Sequence, residues 1–201
     1  MLDSAGFFSA NGPLARCFPD YAEREEQRQM AEAIEHAMDN NSSLVCEAGT
    51  GTGKTFAYLL PALQSGKKII ISTGTRHLQD QLFGKDLPVI SQALDRPVNT
   101  ALLKGRANYL CLHRLEACET DNRHTGKSFK SELLTLRQWL AHTTAGDLGE
   151  VTTLHEQSPV IPAVTSTTDN CLGQSCDYYE DCFVLKARRR AIDADLVVVN
   201  H

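Results

Sequence analysis

The stretch Glu47-Ala48-Gly49-Thr50-Gly51-Thr52-Gly53-Lys54-Thr55 decides the fold of this chain. It follows a short apolar run, Leu44-Val45-Cys46, and precedes a helical pattern from Lys54 to Gln64. Counting back from Gly53-Lys54-Thr55, Ala48 takes the place of the usual first glycine, which gives the A/G-x-x-x-x-G-K-T form of a phosphate-binding loop. Strand, loop and helix in this order predict an α/β nucleotide-binding fold.

The composition of this loop has a chemical reason. Glycine adopts backbone conformations that are closed to residues with a Cβ, so main-chain amides can close around phosphate oxygens. The N-terminus of the following helix adds partial positive charge. Lys54 is expected to reach the β- and γ-phosphates, and the Thr55 hydroxyl to bind Mg²⁺. The alternative is a glycine-rich turn that ends in Lys-Thr by chance. The predicted nucleotide-binding residues are Ala48, Gly49, Thr50, Gly51, Thr52, Gly53, Lys54 and Thr55.

The pattern on either side of the loop extends the α/β prediction. Apolar residues every four positions predict a helix over Glu23 to Met38, and further helices are predicted over Thr75 to Phe83 and Leu87 to Leu94. Compact apolar runs that alternate with helices are typical of parallel sheets. The predicted strands are 43–48, 67–73, 98–103 and 195–199.

The alternation of predicted strands and helices stops after residue 104 and resumes near residue 194. The segment between contains five of the seven cysteines and one long helix candidate, Phe129 to His142. We therefore predict an inserted, mostly helical domain. The expected organisation is an irregular lead-in over 1–20, the first part of a phosphate-loop domain over 21–104, the insertion over 105–193 and a returning strand over 194–201.

The overall composition excludes several classes of protein. Of 201 residues, 42 % are apolar and 22 % charged, which is enough to bury a core and too much for a disordered chain. The formal net charge of −5 argues against a wholly basic binder, although a local basic patch can still bind nucleic acid. No apolar run approaches the roughly 20 residues that span a bilayer, and the N-terminus lacks signal-peptide features, so we expect a cytoplasmic protein without membrane contact.

Cysteines in a reducing compartment favour metal binding over disulfides. Cys171, Cys176 and Cys182 form a C-x₄-C-x₅-C group, and Cys111 is a fourth thiol, with Cys118 as a competing ligand. Four thiolates suit either an iron–sulfur cluster or a structural zinc ion, and buried apolar thiols are the third possibility. Two further cysteines are expected to be structural, Cys17 and Cys46.

Three features outside the loop and the cysteines carry weaker predictions. Gln27 presents a donor and an acceptor together, which suits the edge of adenine, although spacing alone favours a solvated, charged helix face. A basic run after Cys182 could bind a nucleic-acid backbone or face solvent. It comprises Lys186, Arg188, Arg189 and Arg190. Tyr178 and Tyr179 could stack on bases or pack around a metal site.

Taken together, the motifs resemble those of the iron–sulfur superfamily 2 DNA helicases of the XPD/DinG type, closest to the YoaA branch. The resemblance runs from about Pro19 to His201. It rests on six motifs in one order, which are far more specific together than singly. They are Arg24-x-x-Gln27-x-x-Met30, EAGTGTGKT at 47–55, ISTGTRHLQDQL at 71–82, LKGRANYLC at 103–111, DNCLGQSCDYYEDC at 169–182 and ADLVVVNH at 194–201.

The resemblance implies a RecA-like motor fold and an ATP-dependent helicase that moves 5′ to 3′ on single-stranded DNA in repair or replication. It implies that Gln27 reads adenine and that Ser72 to Gln81 contacts the DNA backbone. It also implies a [4Fe–4S] cluster on the path of the strand, held by Cys111, Cys171, Cys176 and Cys182. Forked DNA and, through the YoaA branch, a clamp-loader accessory subunit are the expected partners.

One departure from the family pattern is large. The Asp-Glu pair that holds Mg²⁺ and positions the attacking water in such motors is absent, since the last strand ends Val199-Asn200-His201. We therefore expect the N-terminal part of a helicase, truncated before that pair and inactive alone. Two other hypotheses remain at this point. They are a small phosphate-loop kinase with a structural zinc site, and a non-enzymatic iron–sulfur module that binds DNA.

Overall fold

A computed structural model describes residues 3–120, 126–155 and 157–200. The chain divides into two compact units, of which the first combines residues 1–102 with 193–201 and the second comprises residues 103–192. The sequence assigned 105–193 to an iron–sulfur insertion, and that identity stays a prediction. Among the described residues, no helix has both the length and the apolar character that a membrane span requires.

The first unit is built on a small sheet. Its strands lie in the order β1-β3-β2, so the strand that is last in the sequence is the central one. The strands are β1 (Ile69–Thr73), β2 (Thr100–Leu103) and β3 (Leu196–Asn200). β1 and β3 run parallel, with Ile69 opposite Leu196 and Thr73 opposite Asn200. The predicted α/β class with parallel strands is therefore correct.

Helices occupy the segments between the strands of the first unit. A π-helical turn at Leu82–Asp86 joins α4 to α5 into one nearly continuous helical segment. The helices are α1 (Ser4–Phe8), α2 (Glu25–Asp39), α3 (Lys54–Gln64), α4 (Arg76–Gln81) and α5 (Leu87–Ala93). The bounds predicted for α3 are confirmed, and those predicted for α2 are close.

The strand predicted over 43–48 is not present. Residues 42–49 have no regular secondary structure, and Leu44 and Val45 are 43 % and 96 % exposed. An extended segment becomes a strand only when a neighbour completes its hydrogen-bond ladder. Within the described ranges no strand pairs with this segment, so its apolar composition alone predicted the wrong state.

The lead-in is more ordered than the sequence predicted. Asp3 caps α1 by accepting a hydrogen bond from the Gly6 amide at 2.8 Å, and Phe7 and Phe8 are fully buried. Their rings meet edge to face with centroids 5.2 Å apart, and Leu14 is buried in the same core. The lead-in predicted to be irregular over 1–20 thus contains the short helix α1, which the sequence did not reveal because a helix of five residues leaves no periodicity to detect.

The second unit is mostly helical. Its helices are α6 (Leu112–Thr120), α7 (Lys127–Leu140), α8 (Val160–Val164) and α9 (Phe183–Asp193). They enclose a separate core that includes Leu110, Leu115, Leu136 and Val160. A nearly buried ion pair joins Lys104 Nζ to Asp147 Oδ2 at 2.8 Å near the start of this unit.

Candidate functional site

The glycine-rich loop of the first unit leads directly into α3. Gly51 and Gly53 have φ angles of 78° and 81°, a region that residues with a Cβ avoid. Gly53 is the residue before the first helical position, and Lys54 opens the helix. The sequence therefore folds at this point as a phosphate-binding loop requires, with turning glycines followed by a helix N-terminus.

The ammonium group of Lys54 lies over this loop. Its Nζ donates hydrogen bonds to the Ala48 carbonyl at 2.8 Å and to the Gly49 carbonyl. The Thr52 hydroxyl also donates to the Gly49 carbonyl, at 3.0 Å. The cation is thus held beside the backbone that would bind phosphate, where it can neutralise an anionic ligand.

The second residue of α3 is the predicted magnesium ligand. Burial raises the pKa of the Tyr58 phenol, and a hydrogen bond with the Thr55 side chain opposes that rise. Thr55 is therefore fixed by a neighbour on its own helix, one turn further along. Its role as a Mg²⁺ ligand stays a prediction from the loop motif.

Gln27 of α2 lies against the same loop. Its side chain is only 3 % exposed, and its Nε2 donates to the Gly53 carbonyl at 2.9 Å. The solvated helix face that the sequence left open as an alternative is wrong for this residue, since Gln27 is buried against Gly53. Two elements distant in sequence, α2 and the loop, therefore meet at one hydrogen bond.

A pocket of about 300 Å³ opens beside Gln27 and Gly53. Phe18 and Phe56 line it, and their rings meet edge to face with centroids 5.6 Å apart. The spacing of these two aromatic residues in the sequence does not mark them as part of a site. The remaining lining residues are Leu14, Pro19, Asp20, Tyr21, Ala22 and Arg24.

In the second unit, four thiols line one cavity of about 260 Å³. They are the four predicted ligands, Cys111, Cys171, Cys176 and Cys182. The competing cysteine, Cys118, is buried elsewhere, and its Sγ contacts the Ala163 carbonyl at 3.4 Å. The fold thus separates four thiols from a fifth that spacing could not exclude.

The surroundings of these thiols bear on metal binding. Burial raises the pKa of the Cys111 thiol, and the three neighbouring thiols raise it further. The Nη1 of Arg106 donates a hydrogen bond to the Sγ of Cys171 at 3.2 Å. Across the described part of the chain, no three His, Cys, Asp or Glu side chains are grouped closely enough to hold a single metal ion. The four thiols thus share one cavity beside a cation, and their role as ligands stays a prediction.

The basic run on α9 is partly neutralised. Lys186 pairs with Asp181 at 2.9 Å, and Arg189 pairs with Glu180 at 3.0 Å. Arg188 instead lines the cysteine cavity, together with Arg106. The Tyr178 hydroxyl donates to Glu116 at 2.8 Å, so this ring is tethered beside the same cavity.

The segment proposed to contact DNA, Ser72 to Gln81, spans the end of β1 and α4. Thr75 caps α4 by accepting a hydrogen bond from the Leu78 amide at 3.2 Å, and Arg76 and His77 are exposed on the first turn. Gln79 is fully buried, and its Nε2 donates to the Val198 carbonyl at 3.1 Å. Within this motif, Gln79 has a structural role and the first turn is accessible to a ligand.

Comparison with known proteins shows which protein family part of this chain resembles. Residues 26–119, which include the phosphate loop and Gln27, match the DEAD/DEAH box helicase family. The resemblance to superfamily 2 helicases that the motifs indicated is therefore confirmed over these residues.

Nearly the whole chain is similar to parts of longer proteins that are named as helicases. The ATP-dependent DNA helicase YoaA of Escherichia coli is 52 % identical over 96 % of the chain and 30 % of that protein. YoaA of Haemophilus influenzae is 53 % identical over 98 % of the chain and 31 % of that protein. The ATP-dependent helicase DinG of Mycobacterium tuberculosis is 36 % identical over 89 % of the chain and 30 % of that protein. The chain thus spans about a third of the length of these relatives.

Proposed function

We propose that this chain supplies the ATP-binding part of an ATP-dependent DNA helicase. The observation that carries the proposal is the phosphate loop, in which Gly51 and Gly53 take positive φ angles and Lys54 lies over the loop carbonyls. The names of the similar proteins, ATP-dependent DNA helicases, support the same activity. Movement along single-stranded DNA in the 5′ to 3′ direction is part of the proposal.

Each residue of the nucleotide site has a distinct task in this proposal. Main-chain amides of the loop bind the phosphates, Lys54 compensates the charge on the β- and γ-phosphates, and the Thr55 hydroxyl binds Mg²⁺. Gln27 reads adenine from the pocket beside Gly53. No Asp-Glu pair occurs in the sequence, so we assign nucleotide binding to this chain and hydrolysis to a longer protein that supplies the acidic pair.

We also propose that the second unit binds a [4Fe–4S] cluster through Cys111, Cys171, Cys176 and Cys182. The support is geometric, since all four thiols line one cavity that is larger than a single ion needs. When bound, a cluster of this kind supplies a redox-active, rigid centre linking distant parts of the chain. The residues themselves provide thiolate ligands and, through Arg106, a nearby positive charge.

DNA is the proposed substrate, bound as a single strand at a fork. Exposed Arg76 and His77 on the first turn of α4, and Arg188 beside the cysteine cavity, provide sites for phosphate contacts. A clamp-loader accessory subunit stays a prediction from the family branch, and we assign no surface to it.

A fork-unwinding assay tests this proposal within a full-length helicase that carries the segment. A fork with a 5′ single-stranded arm should be opened in the presence of ATP, and one with only a 3′ arm should not. Lys54→Ala should abolish opening, whereas Lys130→Ala, at an exposed position of α7, should not. Phosphoryl transfer to a small acceptor without DNA, combined with no unwinding, would support the kinase hypothesis instead.

A further inference from the structure

The carboxyl ends of β1 and β3 are joined by side chains as well as by the strand ladder. Thr73 and Asn200 lie opposite each other in the parallel register. The Nδ2 of Asn200 donates a hydrogen bond to the Thr73 carbonyl at 3.0 Å. The Thr73 hydroxyl donates in return to the Val199 carbonyl at 3.2 Å. Each strand end therefore holds the backbone of the other through a side chain.

A third side chain attaches the chain beyond β1 to the same strand. Gln79 of α4 is fully buried, and its Nε2 donates to the Val198 carbonyl at 3.1 Å. The five residues 74–78, between Thr73 and Gln79, are all exposed. The 74–78 segment is thus held at both ends by hydrogen bonds that involve three successive residues of β3, at positions 198–200.

β3 is a firm support for this segment. It is the central strand of the sheet, and Leu196 and Val198 are fully buried. The 74–78 segment buries no side chain of its own. Because ordering an exposed segment costs conformational entropy, its conformation depends on the hydrogen bonds at its ends. Asn200 provides one of these bonds from the last described position of β3.

The location of this junction suits ligand binding. In open α/β sheets, ligands bind outside the carboxyl ends of the parallel strands, where Thr73 and Asn200 lie. Arg76 belongs to the 74–78 segment and is one of the proposed phosphate contacts. A cation contacts a phosphate well only when its backbone is held in register with the nucleic-acid strand. The anchors of the segment therefore bear on how well Arg76 can bind.

We infer that Asn200 is a positioning residue for DNA binding. It holds the Thr73 carbonyl, and through it the 74–78 segment, so that Arg76 meets a phosphate of the single strand. The inference rests on the proposed function, in which residues 72–81 contact DNA, and adds a residue 127 positions away from Thr73. It also gives a role to the end of the ADLVVVNH motif at 194–201, to which the proposed function assigns none.

A double-mutant cycle tests this role. Affinity for single-stranded DNA is measured by fluorescence anisotropy in a full-length helicase that carries this segment, for Asn200→Ala, Arg76→Ala and the double variant. Each single variant should bind about fivefold more weakly, the cost of one lost hydrogen bond. Because Asn200 acts through the segment that carries Arg76, the double variant should lie within about twofold of Asn200→Ala alone. Independent effects would multiply to about 25-fold.

Asn99→Ala is the matched control. The Nδ2 of Asn99 also donates to a backbone carbonyl, that of Asp193 at 2.9 Å, but this contact lies before the amino end of β3. Asn99→Ala should therefore leave DNA affinity unchanged. MgATP binding without DNA should be unchanged in every variant, which shows that the first unit is folded.

A second variant approaches the same junction from β1. Thr73→Val keeps the shape of the side chain and removes the hydrogen bond to the Val199 carbonyl. It should weaken DNA binding by about two- to fivefold without adding to the effect of Arg76→Ala. If Asn200→Ala lost MgATP binding and so failed to fold, the cycle of Thr73→Val with Arg76→Ala would decide the question by the same criterion.

Failure of the inference and failure of the proposed function give different results. A double variant about 25-fold weaker than the unaltered protein, or an Asn200→Ala variant with unchanged affinity, would overturn the inference. An equal loss in Asn99→Ala would overturn it as well. The proposed function stands in these cases if Arg76→Ala alone weakens binding. Unchanged affinity in Arg76→Ala would exclude the proposed DNA contact, and a full-length protein that binds no DNA would contradict the proposed function; either result removes the inference too.

Discussion

The Nη1 atom of Arg106 donates a hydrogen bond to the Sγ atom of Cys171 over 3.2 Å, although the two residues are 65 positions apart. Arg106 opens a short 3₁₀ turn at Arg106–Asn108, just before Cys111, whereas Cys171 begins the C-x₄-C-x₅-C group. The contact therefore joins the two parts of the sequence that supply the four thiols. This hydrogen bond holds the Cys171 sulfur beside the cavity that the four thiols line.

We predict that Arg106→Leu lowers metal affinity in the second unit by roughly 10- to 100-fold, as is typical for residues that orient a ligand. Iron per protein after anaerobic purification is the measurement. Arg137→Leu serves as the control, because Arg137 is exposed and pairs only loosely with Glu119 at 3.4 Å. Equal iron content in all three proteins would show that Arg106 does not support the thiolates.

The ligand assignment itself predicts a colour. Anaerobically purified protein should be brown and absorb near roughly 400 nm, as thiolate-bound iron–sulfur clusters do. Cys171→Ser should remove this absorption, since the cavity then has three thiols. Cys46→Ser should retain it, because Cys46 lies in the first unit and is exposed. A colourless protein that contains one equivalent of zinc would contradict the assignment.

Gly146 should tolerate no side chain. Its φ is +65°, and a Cβ there would lie 2.1 Å from the ring of Phe183. Backbone strain and overpacking together predict that Gly146→Ala lowers the free energy of unfolding by roughly 2–5 kcal/mol. Gly173→Ala has a similar φ of +58° but open space around the site, so about 1–2 kcal/mol is expected from strain alone. Chemical denaturation that ranked the two variants in the opposite order would refute this packing argument.

Neighbouring arginines on α9 should differ in their contribution to DNA binding. Arg189 is already paired with Glu180 at 3.0 Å, whereas Arg188 lines the cysteine cavity. Arg188→Ala should weaken single-stranded DNA binding independently of sequence and reduce the slope of log affinity against log salt by about 1. Arg189→Ala should change the slope less. Fluorescence anisotropy at several salt concentrations measures both, and equal slopes in the two variants would contradict the distinction.

The conformation of the glycine-rich loop could be predicted because phosphate-binding chemistry dictates residue types at fixed spacing. Gly51 and Gly53 are required where φ is positive, and Lys54 and Thr55 follow at the start of a helix. The apolar pattern at 44–46 predicted a strand that is not present. Strand formation depends on a neighbouring strand, which sequence periodicity does not reveal.

Tertiary contacts explain most of what the sequence did not reveal. Spacing could not separate Cys118 from the four other thiols, since only the fold directs it to the Ala163 carbonyl. The pocket beside Gly53 depends on Phe18 and Phe56, which lie on either side of the loop in sequence and meet only after folding. The short helix α1 escaped detection because its stability comes from burying Phe7 and Phe8 and not from a repeating pattern.

Equilibrium binding of MgATP to the full-length protein tests the central claim most directly, with Lys54→Ala compared against Lys130→Ala. Loss of the ammonium beside the loop should weaken MgATP binding by about 10- to 100-fold, the cost of removing a charged hydrogen bond to phosphate. Lys130→Ala should bind as the unaltered protein does. Equal affinity in the Lys54→Ala variant would show that the glycine-rich loop is not the phosphate site, and the motor assignment would be wrong.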